Sequence, residues 1–169
     1  MATMENRTFD EIAIGESAEV TREVTRADIA LFAVVSGDVN PAHLDDAYAA
    51  GTRFKNVIMH GMWSGAIISR LLGVSLPGPG TIYLSQSLAF KRPVSIGDHI
   101  TFKVEVTEKR DDKKIVVLAC TGVNQDGKTV VDGEAVVMAP TEKLTPALPA
   151  EPAVTIAQGG AAAAPYVRK

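Results

Sequence analysis

The chain has 169 residues, enough for one domain with a sizeable core, and its 46% hydrophobic and 22% charged residues are a globular composition. The formal net charge is −3, and the basic pairs Lys109-Arg110 and Lys113-Lys114 are split by Asp111 and Asp112, which argues against nucleic acid as a partner. A single cysteine, Cys120, excludes an intrachain disulfide and lies in an apolar run that suits an inert buried thiol.

The first residues, Met-Ala-Thr-Met-Glu-Asn-Arg, lack the apolar stretch of a signal peptide, so a cytoplasmic location is expected. A strand is expected near residues 17–24. Thr25 followed three residues on by Asp28 opens a helix, with an N-cap and an acidic first turn. That helix delivers the chain to Ser36-Gly-Asp-Val-Asn-Pro-Ala-His43. Pro41 disfavours helical geometry at Asn40, so the chain bends between Asp38 and His43. A bend can bring a carboxylate and an imidazole toward one point, and such a pair can activate water and carry protons. The same residue types also make ordinary turns and caps, and on residue types alone both readings stand.

Residues 44–50 read as a short helix stopped by Gly51. Residues 57–74 are apolar on nearly every side, and Arg70, His60 and the interior glycines favour the buried central helix of a folded domain over a membrane span. Gly61, Gly65, Ser69 and Leu72 share one face of that helix. Three of the four are small, so something approaches the backbone closely: a sheet, or a ligand. At Gly61, near the helix start, a carbonyl oxygen would meet unpaired N–H groups and a favourable dipole.

From Thr81 the period becomes two. Strands are expected at residues 82–90, 100–107, 115–123 and 129–138, with turns at 95–98 and 110–113. Asn124-Gln-Asp-Gly127 reads as a hairpin whose Asp-Gly pair suits a primed turn. Residues 1–140 are therefore expected to form the domain. The Pro- and Ala-rich stretch 141–169 has no periodic apolar face and reads as a linker or disordered tail. His43, His60 and His99 make no zinc-like pattern, and no phosphate-binding glycine fingerprint occurs, so neither a metal nor a cofactor is expected.

Ser36–His43, followed by Ile58-Met-His-Gly-Met62 and Ile82-Tyr-Leu-Ser-Gln-Ser-Leu-Ala-Phe90, resembles the MaoC-like (R)-specific enoyl-CoA hydratases. The resemblance covers residues 9–140, and its Asp-x-Asn-Pro-x-His element is specific to that family. It implies an α+β hot-dog fold, an antiparallel sheet wrapped around one long helix, in a homodimer. It also implies reversible hydration of a trans-2-enoyl-CoA, the substrate itself carrying the coenzyme A. By position, Asp38 and His43 match the catalytic pair and Gly61 the N–H that holds the thioester oxygen. Asn40 matches a support of the catalytic loop; Ser69, Leu72 and Val136 match the acyl pocket, with short enoyl groups expected. Similar segments precede acyltransferase domains in fusions, which would make the tail a linker. A hot-dog thioesterase and a non-catalytic acyl-CoA-binding module are the alternatives, and the absence of Asp or Glu from residues 57–74 weighs against the first.

Overall fold

The computed structural model describes residues 2–156 and the backbone of 164–165. Five strands, β1 (Ser17–Glu23), β2 (Ile82–Phe90), β3 (His99–Arg110), β4 (Ile115–Val123) and β5 (Thr129–Met138), form one antiparallel sheet in the order β1-β3-β4-β5-β2. Helix α4 (Gly61–Val74) lies across its inner face, against β3 and flanked by β1 and β2. This is the hot-dog arrangement.

Alternation sets the layers. Ile100, Phe102, Val104 and Val106 of β3 point inward, as do Val116, Leu118 and Cys120 of β4 and Ala135 and Val137 of β5. They close on Trp63, Ile67, Ile68, Leu71 and Leu72 of α4, and Trp63 meets Phe102 edge-on. Cys120 is buried, and burial pushes its thiol pKa up, as an inert core thiol requires. Helix α1 (Arg26–Ser36) begins with a complete capping box: Thr25 accepts from Asp28 N–H, and Asp28 accepts from Thr25 N–H at 2.8 Å. Asp28 also holds buried Arg22 at 3.0 Å, fixing α1 to β1. Two short helices, α2 (Pro41–Leu44) and α3 (Asp46–Gly51), follow.

The structure corrects the sequence reading at four places. Helix α4 begins at Gly61, not Val57. Residues 57–60 are extended, with Ile58 bridged to Ser95 and Met59 N–H donating to Val94 O at 2.8 Å. It is buried on one side only; Gly61, Met62, Ala66, Ser69, Gly73 and Val74 are exposed. No helix among the described residues is long and apolar enough to cross a membrane. The loop at Asn124–Gly127 is not a primed turn: Gly127 N–H donates to Asn124 O, and Gly127 alone adopts positive φ, +73°.

The fourth concerns the end of the packed chain. Residues 142–148 run against residues 2–6, with Thr3 bridged to Ala147 and Leu148 N–H donating to Ala2 O. Asn6, 0% exposed, donates from Nδ2 to Glu142 O at 2.9 Å and accepts from Leu144 N–H at 2.9 Å. Lys143 reaches Glu5 and Glu11, and the hydrogen bond from Thr8 N–H, followed by that from Lys143, draws the Glu11 carboxyl down to about 2. Ordered packing therefore passes Pro140. The 159–163 Gly-Ala stretch of the expected tail lies outside the described residues. Cutting the chain after Pro140 is expected to orphan both ends of the Asn6 amide and cost about 2 kcal/mol or more, whereas a cut after Leu148 costs little; thermal denaturation of both truncations checks this.

Candidate active site

Asp38 and His43 are brought together by two helix ends. Gly37 closes α1 in the left-handed conformation at φ +73°, its N–H donating to Ala33 O, and turns the chain toward Asp38. Asn40 then caps α2, accepting from Ala42 N–H at 3.0 Å, with Pro41 at the first helical position, where it needs no N–H donor. Asp38 Oδ1 accepts from Asn40 N–H at 3.1 Å, which leaves Oδ2 facing His43 Nε2 across 3.9 Å. Asp38 is half exposed (51%) and His43 mostly enclosed (13%). Asn40 thus builds the loop; it does not line the cleft.

The His43 tautomer follows from its partner. Nδ1 lies 2.7 Å from Ile58 O, and a carbonyl only accepts, so Nδ1 carries the hydrogen and neutral His43 offers a bare Nε2. With that tautomer Oδ2 and Nε2 are two acceptors 3.9 Å apart, a spacing at which one water can donate a hydrogen to each. His60 completes the cluster: Asp38, His43 and His60 each present a ligand atom within 4.8 Å of the others. One nitrogen of each imidazole is already spent on a main-chain carbonyl, at Ile58 and Asp38. The groups left facing the open side, Asp38 Oδ2 and His43 Nε2, form an acid/base pair.

Beside them starts α4. Gly61 is its first residue, so its N–H has no intrahelical acceptor and sits at the positive end of the dipole. Gly61 and His43 share a cleft of about 310 Å³. Phe54, Ile58, Phe90, Val94 and Val130 supply its apolar walls, and Arg53, Lys91 and Arg92 add positive charge. The small-residue stripe has a packing role as well: a Cβ on Gly61 would stand 3.2 Å from Phe90, and one on Gly65 3.2 Å from Leu88.

The remaining expected residues lie elsewhere. Ser69 is exposed two turns along α4, Leu72 is locked in the core at 1% exposure, and neither lines the cleft. Val136 pairs with Ser85 and Val117 on the sheet face away from α4; its neighbour Val137 faces the core. Because strand faces alternate, a displacement of one residue reverses the side. Sequence reasoning gave no role to His60 and did not single out Ser64, both buried and both lining the cleft. A histidine placed directly before the first residue of the central helix was the available signal.

A helix-crossed antiparallel sheet with an Asp–His pair at the helix N-terminus defines a hot-dog protein with the makings of a water-adding or water-removing site. The MaoC-like domain model matches residues 11–127, and the chain belongs to that family. It is 47% identical over 129 residues to the (R)-specific enoyl-CoA hydratase of Aeromonas caviae, covering 76% of this chain and 96% of that protein. The enzyme of the same name from Rhodospirillum rubrum is 48% identical over 132 residues, covering 78% and 91%. The unliganded R-hydratase PhaJ1 of Pseudomonas aeruginosa superposes with a TM-score of 0.88 at 50% identity, covering 92% of this chain and all of that one.

Proposed function

We infer that this protein is an (R)-specific enoyl-CoA hydratase, a hydro-lyase that adds water reversibly to a trans-2-enoyl-CoA to give the (R)-3-hydroxyacyl-CoA. The observation that carries this is the facing pair of acceptors, Asp38 Oδ2 and His43 Nε2, 3.9 Å apart beside the N-terminus of α4. A thioester carbonyl at Gly61 N–H is polarised, so electron density can move onto its oxygen as the water oxygen bonds to the β-carbon. The water gives up one proton to the pair and keeps the other on the new hydroxyl. The pair, now holding that proton, supplies it to the α-carbon as the carbonyl re-forms. Both groups begin as acceptors, so they work as a unit; the expected split, with Asp38 as base and His43 as acid, is not built into the geometry. Turnover of crotonyl-CoA with chiral analysis of the product tests the activity, and an (S) product or hydrolysis to free CoA overturns it.

Short enoyl groups remain the proposed substrates by likeness to the family, not by Ser69 or Leu72, which lie outside the cleft. Assembly as a homodimer is supported by β2. This edge strand exposes Ile82, Leu84 and Phe90 and, among the described residues, is paired on one side only, and such an apolar edge is normally covered. The cationic end of the cleft suits the phosphates of the substrate's coenzyme A. Arg53→Ala and Arg92→Ala are each expected to lower kcat/KM for crotonyl-CoA about tenfold, the worth of one charge-assisted hydrogen bond. Hydration of the crotonyl thioester of N-acetylcysteamine, which has no phosphate, should be unchanged. Equal losses on both substrates would remove those residues from phosphate binding.

A further inference from the structure

His60 touches both members of the pair. It is 3% exposed and stands immediately before α4, where it makes no side-chain cap to the helix. Its Nε2 lies 2.9 Å from the main-chain carbonyl of Asp38. Its ring stacks on His43 with centroids 3.8 Å apart and planes 28° from parallel, while Phe32 of α1 packs against it at 5.1 Å. The Asp38 carbonyl can only accept, so Nε2 carries the hydrogen and Nδ1 a lone pair. That Nδ1 is buried and has no hydrogen-bond partner among the described residues. An unpaired buried acceptor weakens a fold, and a phenyl ring would keep the aromatic contacts without it. A histidine here is unfavourable for stability, which points to a task for its N–H.

We propose that His60 is a positioning residue for the hydration: its Nε2–H fixes the loop that carries Asp38 while its ring fixes the imidazole of His43, so one side chain sets the spacing of the pair. This rests on the hydratase reading of the site. Burial holds the His60 pKa below the ordinary histidine value, and the neighbouring His43 pushes the same way. A neutral ring suits the role, because protonation would put an N–H without an acceptor at Nδ1.

The test is His60→Phe in the full chain, assayed with crotonyl-CoA. Phenylalanine preserves the stack and removes both the donor and the unpaired nitrogen. The melting temperature is expected to stay level or rise while kcat falls about 10- to 100-fold, the range for a catalytic group displaced by an ångström or less. KM should stay within about threefold. His60→Gln restores an N–H within reach of the Asp38 carbonyl and is expected to recover part of the lost kcat. In a His43→Gln background, His60→Phe should lower kcat by less than about threefold, because its effect runs through the pair. The proposal is overturned if His60→Phe keeps kcat within about threefold, if kcat and melting temperature fall together with no recovery in His60→Gln, or if its effect multiplies fully with that of His43→Gln. Nitrogen-15 spectra of the histidine rings give a readout without substrate. They should show His43 protonated at Nδ1, His60 at Nε2, and a shift of the His43 nitrogens in His60→Phe. Unmoved His43 resonances would refute the positioning role whether or not the protein hydrates crotonyl-CoA, whereas absent wild-type turnover with the expected spectra would refute only the hydratase reading.

Discussion

Asp38→Asn and His43→Gln are each expected to lower kcat for crotonyl-CoA hydration by about 10²- to 10⁴-fold, the contribution of a general acid/base in its transition state. Neither change should unfold the protein. Asp38 is half exposed, and its one structural bond, from Asn40 N–H to Oδ1, can be kept by an asparagine oxygen. What the amide loses is the second acceptor: with NH₂ in place of Oδ2, one side of the gap becomes a donor and can no longer take a hydrogen from water. His43→Gln removes the bare Nε2 that the bond to Ile58 O guarantees. If the two groups act as one unit, as proposed, the double variant should be little worse than either single one. Either variant keeping more than about a tenth of wild-type kcat, with unchanged folding by circular dichroism, would remove that residue from the chemistry.

The site was legible where its chemistry is local. The seven residues 37–43, around an Asn-Pro step, determine the bend, and the caps that hold it, Gly37 and Asn40, are among them. The meander was legible because β3 alternates cleanly, one face packing on α4, and turn residues separate it from the strands that follow. What escaped depended on register or on distant partners. In Ala135-Val136-Val137-Met138 every residue is apolar, so the sequence carries no sign of which valine faces inward; pairing with β2 and β4 decides it. The start of α4 was misplaced because residues 57–59 are as apolar as the helix and its N-cap is a histidine, not one of the usual capping types. Residues 142–148 show no apolar pattern because their attachment is polar: main-chain bonds, the buried amide of Asn6 and the Lys143 pairs with Glu5 and Glu11, all far away in sequence. His60 was visible as a letter of a motif, but its role needs two contacts, to Asp38 and His43, that only the folded chain makes.

Gly133→Ala is expected to damage stability and site together. In the register of the sheet Gly133 sits between Leu88 of β2 and Cys120 of β4. A Cβ there would stand 1.9 Å from Ser87 O and 2.8 Å from its carbonyl carbon, so the main chain of β2 would have to move. Overpacking a core typically costs about 1–3 kcal/mol and more where the obstacle cannot rotate away; for a chain of this size each kcal/mol lowers Tm by about 2–4 °C. Among the described residues, β5 is the one strand that β2 pairs with. Displacing it moves Leu88 off Gly65 and Phe90 off Gly61, and with them the Lys91–Val94 wall of the cleft. Turnover of crotonyl-CoA should therefore fall even at temperatures where the variant is folded. Gly65→Ala is the control, since its Cβ would meet only the ends of two flexible side chains, Leu88 and Met62, at 3.2 and 3.3 Å. The measurement is Tm and kcat/KM for both variants side by side. If Gly133→Ala matched Gly65→Ala in both, the close approach of β2 to β5 would not be what holds the cleft wall against α4.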